Sequence, residues 1–206
     1  ALPSLLSGVK MKTEMPPLGL WMFFAISSII VASLLAMPRC SRGAEIRPPV
    51  ALADSVSGAK HVALGHRLWF ERRLSRRGTT SCADCHDPAK GWSDGKRVSD
   101  GENGQTSRNA PTIVNACYSI PQFGDGRAAH LEGQAKTVIE NGTEMGNDST
   151  GEAARRLARI PEYREAFREA FGRPLERNPN DVLLALAAFE RTIVSTDAPI
   201  DRALQW

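Results

Sequence analysis

The stretch that decides the reading is Thr80–His86, "TSCADCH". Two cysteines stand three apart and a histidine follows at once. Three chemistries use this spacing. A c-type haem needs two thiols to add to its vinyl groups and an imidazole beneath the iron, and Cys-x-x-Cys-His supplies all three in one short run. A structural zinc site needs four ligands. Cys82, Cys85 and His86 give two or three of them, and His61, His66 and His130 lie outside a second tight pair. A redox dithiol belongs beside a βαβ pattern, and none is present. The residues favour haem attachment, with Cys82 and Cys85 as thioether residues and His86 as the proximal iron ligand. Zinc and dithiol remain the alternatives.

The surroundings read as helices. Val62, Leu64, Leu68 and Trp69 line one side of a helix that runs from about Asp54 to Phe70. Residues 93–110 form a Gly/Asp/Asn/Ser-rich loop, too long for a mere connector. Pro111 suits the first turn of a short helix. Another helix is expected near Ala128–Glu140, with Leu131, Ala135 and Val138 on its apolar face and the polar Gln134 among them. "STGE" at Ser149–Glu152 is a capping box opening a helix to Ile160. Pro161 starts the next, with Tyr163, Phe167 and Ala170 aligned and Gly172 ending it. Asp181 opens the last, with Val182, Leu186, Phe189 and Ile193 on one face. No alternating strands, hairpin turns or repeats stand out. The fold class is all-α: several short helices packed round one covalently bound haem.

Length suits one domain with a targeting segment. The net charge of +3 comes from residues 1–43, where Lys10, Lys12, Arg39 and Arg42 face only Glu14, and the remaining charges balance. No basic footprint for nucleic acid is present. Residues 15–38 carry no charge and follow Lys12. Ser41-Arg42-Gly43 is a small-x-small triplet before Ala44, so residues 1–43 read as upstream residues plus a signal peptide. Met11 is the expected start. The run is also long enough to be a membrane anchor. Residues 44–53 read as a linker and 54–206 as the haem domain. Export to the periplasm follows from either reading of the leader. Cys117, in "IVNACYS", reads as a small buried residue.

Five blocks follow one another in order: "LGHRLWFERRLSRRGTTSCADCHDPAKGWSDG", "SRNAPTIVNACY", "QFGDGRAAHLEGQA", "TEMGND" and "AAFERTIVSTDAPIDRAL". From about residue 54 the chain resembles the N-terminal haem domain of bacterial di-haem cytochrome c peroxidases and MauG-type proteins. The resemblance implies that hydrogen peroxide reacts at this haem. It also implies a second haem domain that takes electrons from a small cytochrome or cupredoxin. Glu144 and Gln134 match residues on the open side of the haem, and Asn109 matches a ligand of a calcium ion between the two haems. A carboxylate such as Glu144 suits peroxide cleavage because it can accept a proton from one oxygen and return it to the other. Gln134 can hydrogen-bond peroxide without titrating. Arg127 in "DGRA" could grip a haem propionate. Without the resemblance, Glu144 reads as a solvated loop residue and Gln134 as a core amide. Asn109 then reads as a cap for the helix after Pro111, and Arg127 as half of a surface ion pair.

The chain departs from that family at three places. Its loop 93–108 holds no histidine or methionine, where many members carry a His that caps the resting iron. The expected haem is therefore open to peroxide, with His130 and Met145 the residues to suspect should a sixth ligand exist. Gly124 stands where many members have a tryptophan between the haems, leaving Trp69 and Trp92 as aromatic candidates, each better read as packing. A second Cys-x-x-Cys-His is absent, which points to a fragment or to a partner subunit. It also weakens the calcium expectation. The alternative function is a mono-haem electron-transfer cytochrome, which usually wants a strong second axial ligand.

Overall fold

In a computed structural model of the protein, residues 58–195 and 198–203 are described. The expected leader and linker, residues 54–57 and the terminal Leu204–Trp206 lie outside them. Among the described residues no helix is long and apolar enough to cross a membrane. The fold is helix-rich, as expected.

Helix α1 (Ala59–Trp69) buries Leu64, Gly65, Leu68 and Trp69. It packs against α6 (Asp181–Glu190), the most buried helix, in which only Leu184 faces solvent. The approach is backbone to backbone: a Cβ on Gly65 would stand 1.9 Å from the carbonyl oxygen of Ala185. Such contact is open only to glycine. After α1, Glu71 accepts from the Arg73 N–H at 2.8 Å and caps a 3₁₀ turn over Arg72–Leu74.

The cysteine motif forms α2 (Cys82–Cys85), a single turn. One turn cannot hold itself in water, so its ends are tied. The Asp84 carboxylate accepts from the Ser81 N–H at 2.7 Å and from Arg72 Nη2 at 2.6 Å. Arg72 Nη1 also donates to the Thr79 carbonyl. The loop that follows contains a hairpin the sequence analysis did not anticipate. Strands β1 (Asp100–Gly101) and β2 (Gly104–Gln105) pair antiparallel, Asp100 opposite Gln105.

No helix follows Pro111. Thr112 Oγ1 accepts from the Val114 N–H at 3.2 Å, a local turn that competes with a helix. Asn115 is left-handed at φ 64°, and only a 3₁₀ turn forms over Ala116–Tyr118. Asn115 instead ties this strip to the segment after α6. Its N–H donates to the Ile193 carbonyl at 2.9 Å, and its Oδ1 accepts from the Ser195 N–H at 2.9 Å.

Helix α3 (Leu131–Glu140) starts later than expected, because His130 Nδ1 caps it by accepting from the Gly133 N–H at 3.1 Å. Leu131, Ala135 and Ile139 are buried on it, while Val138 is half-buried. Helix α4 (Thr150–Ala158) opens at Ser149, whose Oγ accepts from the Glu152 N–H at 3.3 Å. Glu152 reaches back to the Asp148 N–H rather than that of Ser149. Helix α5 (Pro161–Phe171) begins at its proline and ends at the left-handed Gly172, as the sequence suggests. A short α7 (Pro199–Ala203) follows α6. Buried Asn147 ties "TEMGND" to the motif's lead-in, donating to the carbonyls of Leu74 and Ile139 at 3.0 Å each.

Candidate haem-binding site

His86 caps α2 and folds its ring inward. Its Nδ1 lies 3.0 Å from the Pro111 carbonyl and 3.2 Å from the Trp92 carbonyl. Both neighbours only accept, so Nδ1 carries the proton and Nε2 keeps its lone pair. A backbone carbonyl on one ring nitrogen is how a metal-binding imidazole is oriented. Burial pushes the imidazole below its usual pKa, with the two carbonyls and Asp94 opposing. The neutral form, the one that ligates iron, is favoured. Trp69 stands beside it, 3% exposed, with its ring 6.0 Å from His86, 6.1 Å from Trp92 and 5.6 Å from Phe189. Both tryptophans pack as walls, as expected.

Cys82 and Cys85 are half-buried and make no disulfide. Burial, then nearby acidic groups, pushes the Cys82 thiol far above its usual range and that of Cys85 up to about 11. Neither is an activated thiolate, which counts against the redox-dithiol reading. Among the described residues no group of three or more His, Cys, Asp or Glu side chains could hold a metal ion, so the zinc reading finds no further ligands there. Two neutral thiols one helical turn apart, beside an imidazole with a free Nε2, fit covalent haem attachment.

Glu144 is half-buried, and burial raises its carboxyl pKa while the Arg127 charge opposes the rise. Glu144 in turn raises Cys85. The fold thus places Glu144 within electrostatic range of both Arg127 and Cys85. Arg127 itself makes an ion pair: Nη1 lies 2.7 and 2.9 Å from the two Asp125 oxygens, and the guanidinium sits 3.4 Å over the Phe123 ring. Gln134 is half-buried on α3. Asn109 is exposed and caps no helix, since none follows Pro111. Of the two suspected extra ligands, Met145 is 2% exposed in the core and His130 caps α3.

Sequence reasoning missed Glu190. It is 4% exposed at the end of α6, and its Oε2 has no hydrogen-bond partner. Burial pushes its carboxyl up to about 8, and it is the leading acidic influence on Cys82. Its place in the run "AAFERT" was the one available signal. A cleft of 550 Å³ beside His66, Trp92 and Phe189 includes none of Cys82, Cys85, Gln134 and Glu144.

Comparison with known proteins agrees with this geometry. Residues 59–206 match the family model described as di-haem cytochrome c peroxidase. The chain is 37% identical to cytochrome-c peroxidase IdrP1 of Pseudomonas sp. strain SCT, over 85% of this chain and 48% of that protein. It is 43% identical to the methylamine utilization protein MauG of Methylorubrum extorquens, over 68% of this chain and 40% of that protein. Among solved structures, a MauG-like protein associated with microbial copper homeostasis superposes with a TM-score of 0.67 at 30% identity. That match covers 81% of this chain and 49% of the other. The chain therefore spans less than half the length of these relatives. It belongs to the di-haem cytochrome c peroxidase family.

Proposed function

We propose that residues 54–206 form the peroxide-reacting haem unit of a di-haem peroxidase or MauG-like oxidoreductase, exported to the periplasm. Hydrogen peroxide is the substrate. A second haem domain or subunit and a small cytochrome or cupredoxin supply electrons. Cys82 and Cys85 would hold the haem and His86 would ligate its iron. The bound haem supplies the redox chemistry that divides the O–O bond. The observation that carries this reading is the His86 ring, its Nδ1 held by the Pro111 and Trp92 carbonyls, beside the two unpaired thiols Cys82 and Cys85.

The protein's own contribution is positional and protonic. Carbonyls of Pro111 and Trp92 hold the His86 ring still and keep its Nε2 deprotonated. Trp69, Trp92 and Phe189 pack against one another on that flank. Glu144, partly withdrawn from water, binds a proton more readily than an exposed carboxylate. It can accept the peroxide proton as base and return it to the departing oxygen as acid. Gln134 offers a hydrogen bond whose strength does not vary with pH. The Arg127 charge opposes the rise of the Glu144 pKa and so favours its ionised form.

The test is Glu144→Gln in the exported, haem-loaded protein. Haem content by pyridine haemochrome should be unchanged, while the second-order rate with peroxide should fall by about 10²–10⁴-fold. A wild-type rate would remove Glu144 from the chemistry and favour the electron-transfer reading.

A further inference from the structure

The hairpin in the long loop touches two parts of the site at once. Glu102 lies at its tip. Glu102 Oε1 accepts three hydrogen bonds from the lead-in to α2: Ser75 Oγ at 2.8 Å, the Arg77 N–H at 2.7 Å and Thr79 Oγ1 at 3.2 Å. Ser75 Oγ accepts in turn from the Thr80 N–H at 3.2 Å, one residue before the Ser81 cap. These bonds outweigh burial and hold the Glu102 carboxyl below its usual pKa. It is ionised at neutral pH, and charged acceptors make the stronger hydrogen bonds.

The backbone of the same residue points the other way. The Glu102 N–H donates to the Glu144 carbonyl at 2.8 Å, and the Asn103 N–H to that of Thr143 at 3.1 Å. Asn103 Nδ2 donates to the Gly142 carbonyl at 2.6 Å. The hairpin lies so close that a Cβ on Gly101 would stand 2.2 Å from the Thr143 oxygen. Other ties between these regions engage Met145 and Asn147, through the Arg76 N–H and the Leu74 carbonyl. Glu144 itself is held by Glu102 and, through its own N–H, by Asn141 Oδ1 at 3.3 Å.

We propose that Glu102 is a positioning residue for Glu144. Its side chain grips the segment that carries the haem-attaching cysteines, and its backbone grips the residue that moves the proton. One residue thereby fixes the height of Glu144 over the motif. The inference rests on the reading of Glu144 as the proton carrier.

The test uses the exported, haem-loaded protein with Glu102→Ala, Glu102→Gln and Gly101→Ala. Glu102→Ala should load haem and react with peroxide about 100-fold more slowly, the cost of a misplaced group at about 1 Å. The acid limb of its pH–rate profile should move to lower pH. Glu144 then gains water, while the Arg127 charge that acts on it is unaltered. Amide exchange at Asn103 should quicken. Glu102→Gln keeps an acceptor oxygen and should restore most of the rate and the profile. Gly101→Ala should reproduce the alanine signature with the carboxylate intact, and it carries the test should Glu102→Ala fail to load haem. A wild-type profile and wild-type Asn103 exchange in Glu102→Ala or Gly101→Ala, with Glu144→Gln slow, would overturn the positioning role alone. Glu144→Gln reacting like wild type would overturn the reading of Glu144 beneath it.

Discussion

Replacing Gly65 by alanine tests the contact on which the site's inner wall rests. The new methyl would begin 1.9 Å from the Ala185 oxygen and 2.8 Å from the Phe189 Cβ. Both α1 and α6 are helices, so no flexible side chain can give way. Restoring ordinary contact separates them by roughly 1.5 Å, and overpacking of that kind costs about 3 kcal/mol. Alanine's better helix propensity returns about 1 kcal/mol. The net loss is about 2 kcal/mol, or a fall of about 8 °C in melting temperature for a domain of this size. Gly78→Ala is the control. It has a positive φ, +71°, and nothing lies within 4 Å of its missing Cβ. It should lose only the left-handed strain, about 1 kcal/mol. Equilibrium urea unfolding and thermal melts by far-UV circular dichroism read both. Trp69 and Phe189 ride on the two helices beside His86, so Gly65→Ala should also lower the yield of covalently attached haem. A melting temperature for Gly65→Ala no lower than that of Gly78→Ala would refute the backbone contact and the wall built on it.

Two further outcomes concern pH. Glu190, pushed up to about 8 from 4.5, takes up a proton on folding between those values, so its contribution to stability falls as pH rises from 4.5 to 8 and levels off above. Glu190→Gln should lose that slope, with a gain over wild type of up to about 5 kcal/mol by pH 9. Parallel urea midpoints across the range would refute it. Glu71 is held down to about 2, first by the Arg73 side chain and also by the Arg73 N–H and the Tyr163 hydroxyl, against some desolvation. Its contribution is present above pH 4.5 and lost as pH falls through 2. Arg73 is 56% exposed, so solvent screening leaves about 1 kcal/mol. Glu71→Gln should cost that at pH 7 and little near pH 2, and an equal cost at both would count against the assignment.

Much of the local structure was legible in the chain because local rules set it. Pro161 and Gly172 bound α5, and Ser149 opens α4. The cysteines and histidine of α2 are adjacent, so their shared site needed no fold to assemble it. The hairpin was not legible. Each strand is only two residues long, and the bonds that hold it come from Thr143 and Glu144, about forty residues on. The segment after Pro111 failed for a similar reason, since Asn115 bonds to Ile193 and Ser195 instead of to a helix of its own.

The sequence by itself determined the helical class, the start of α4, both ends of α5, and the meeting of two thiols and an imidazole in "TSCADCH". Caps, prolines and motif spacing act over a few residues and survive in any context. Tertiary structure alone decided the rest. Periodicity suggested one buried face for α6, yet Ala185, Ala187 and Ala188 are buried too, because α1 crosses at Gly65 against Ala185 and α3 also packs on α6. Small residues carry little amphipathic signal, so that burial was silent in the chain. Glu144 gained its raised pKa only by being withdrawn from water in the fold, with Arg127 opposing the rise, and Glu102 its lowered pKa only by meeting Ser75, Arg77 and Thr79. Charge and solvent act through space, and only the fold sets which distant residues share it.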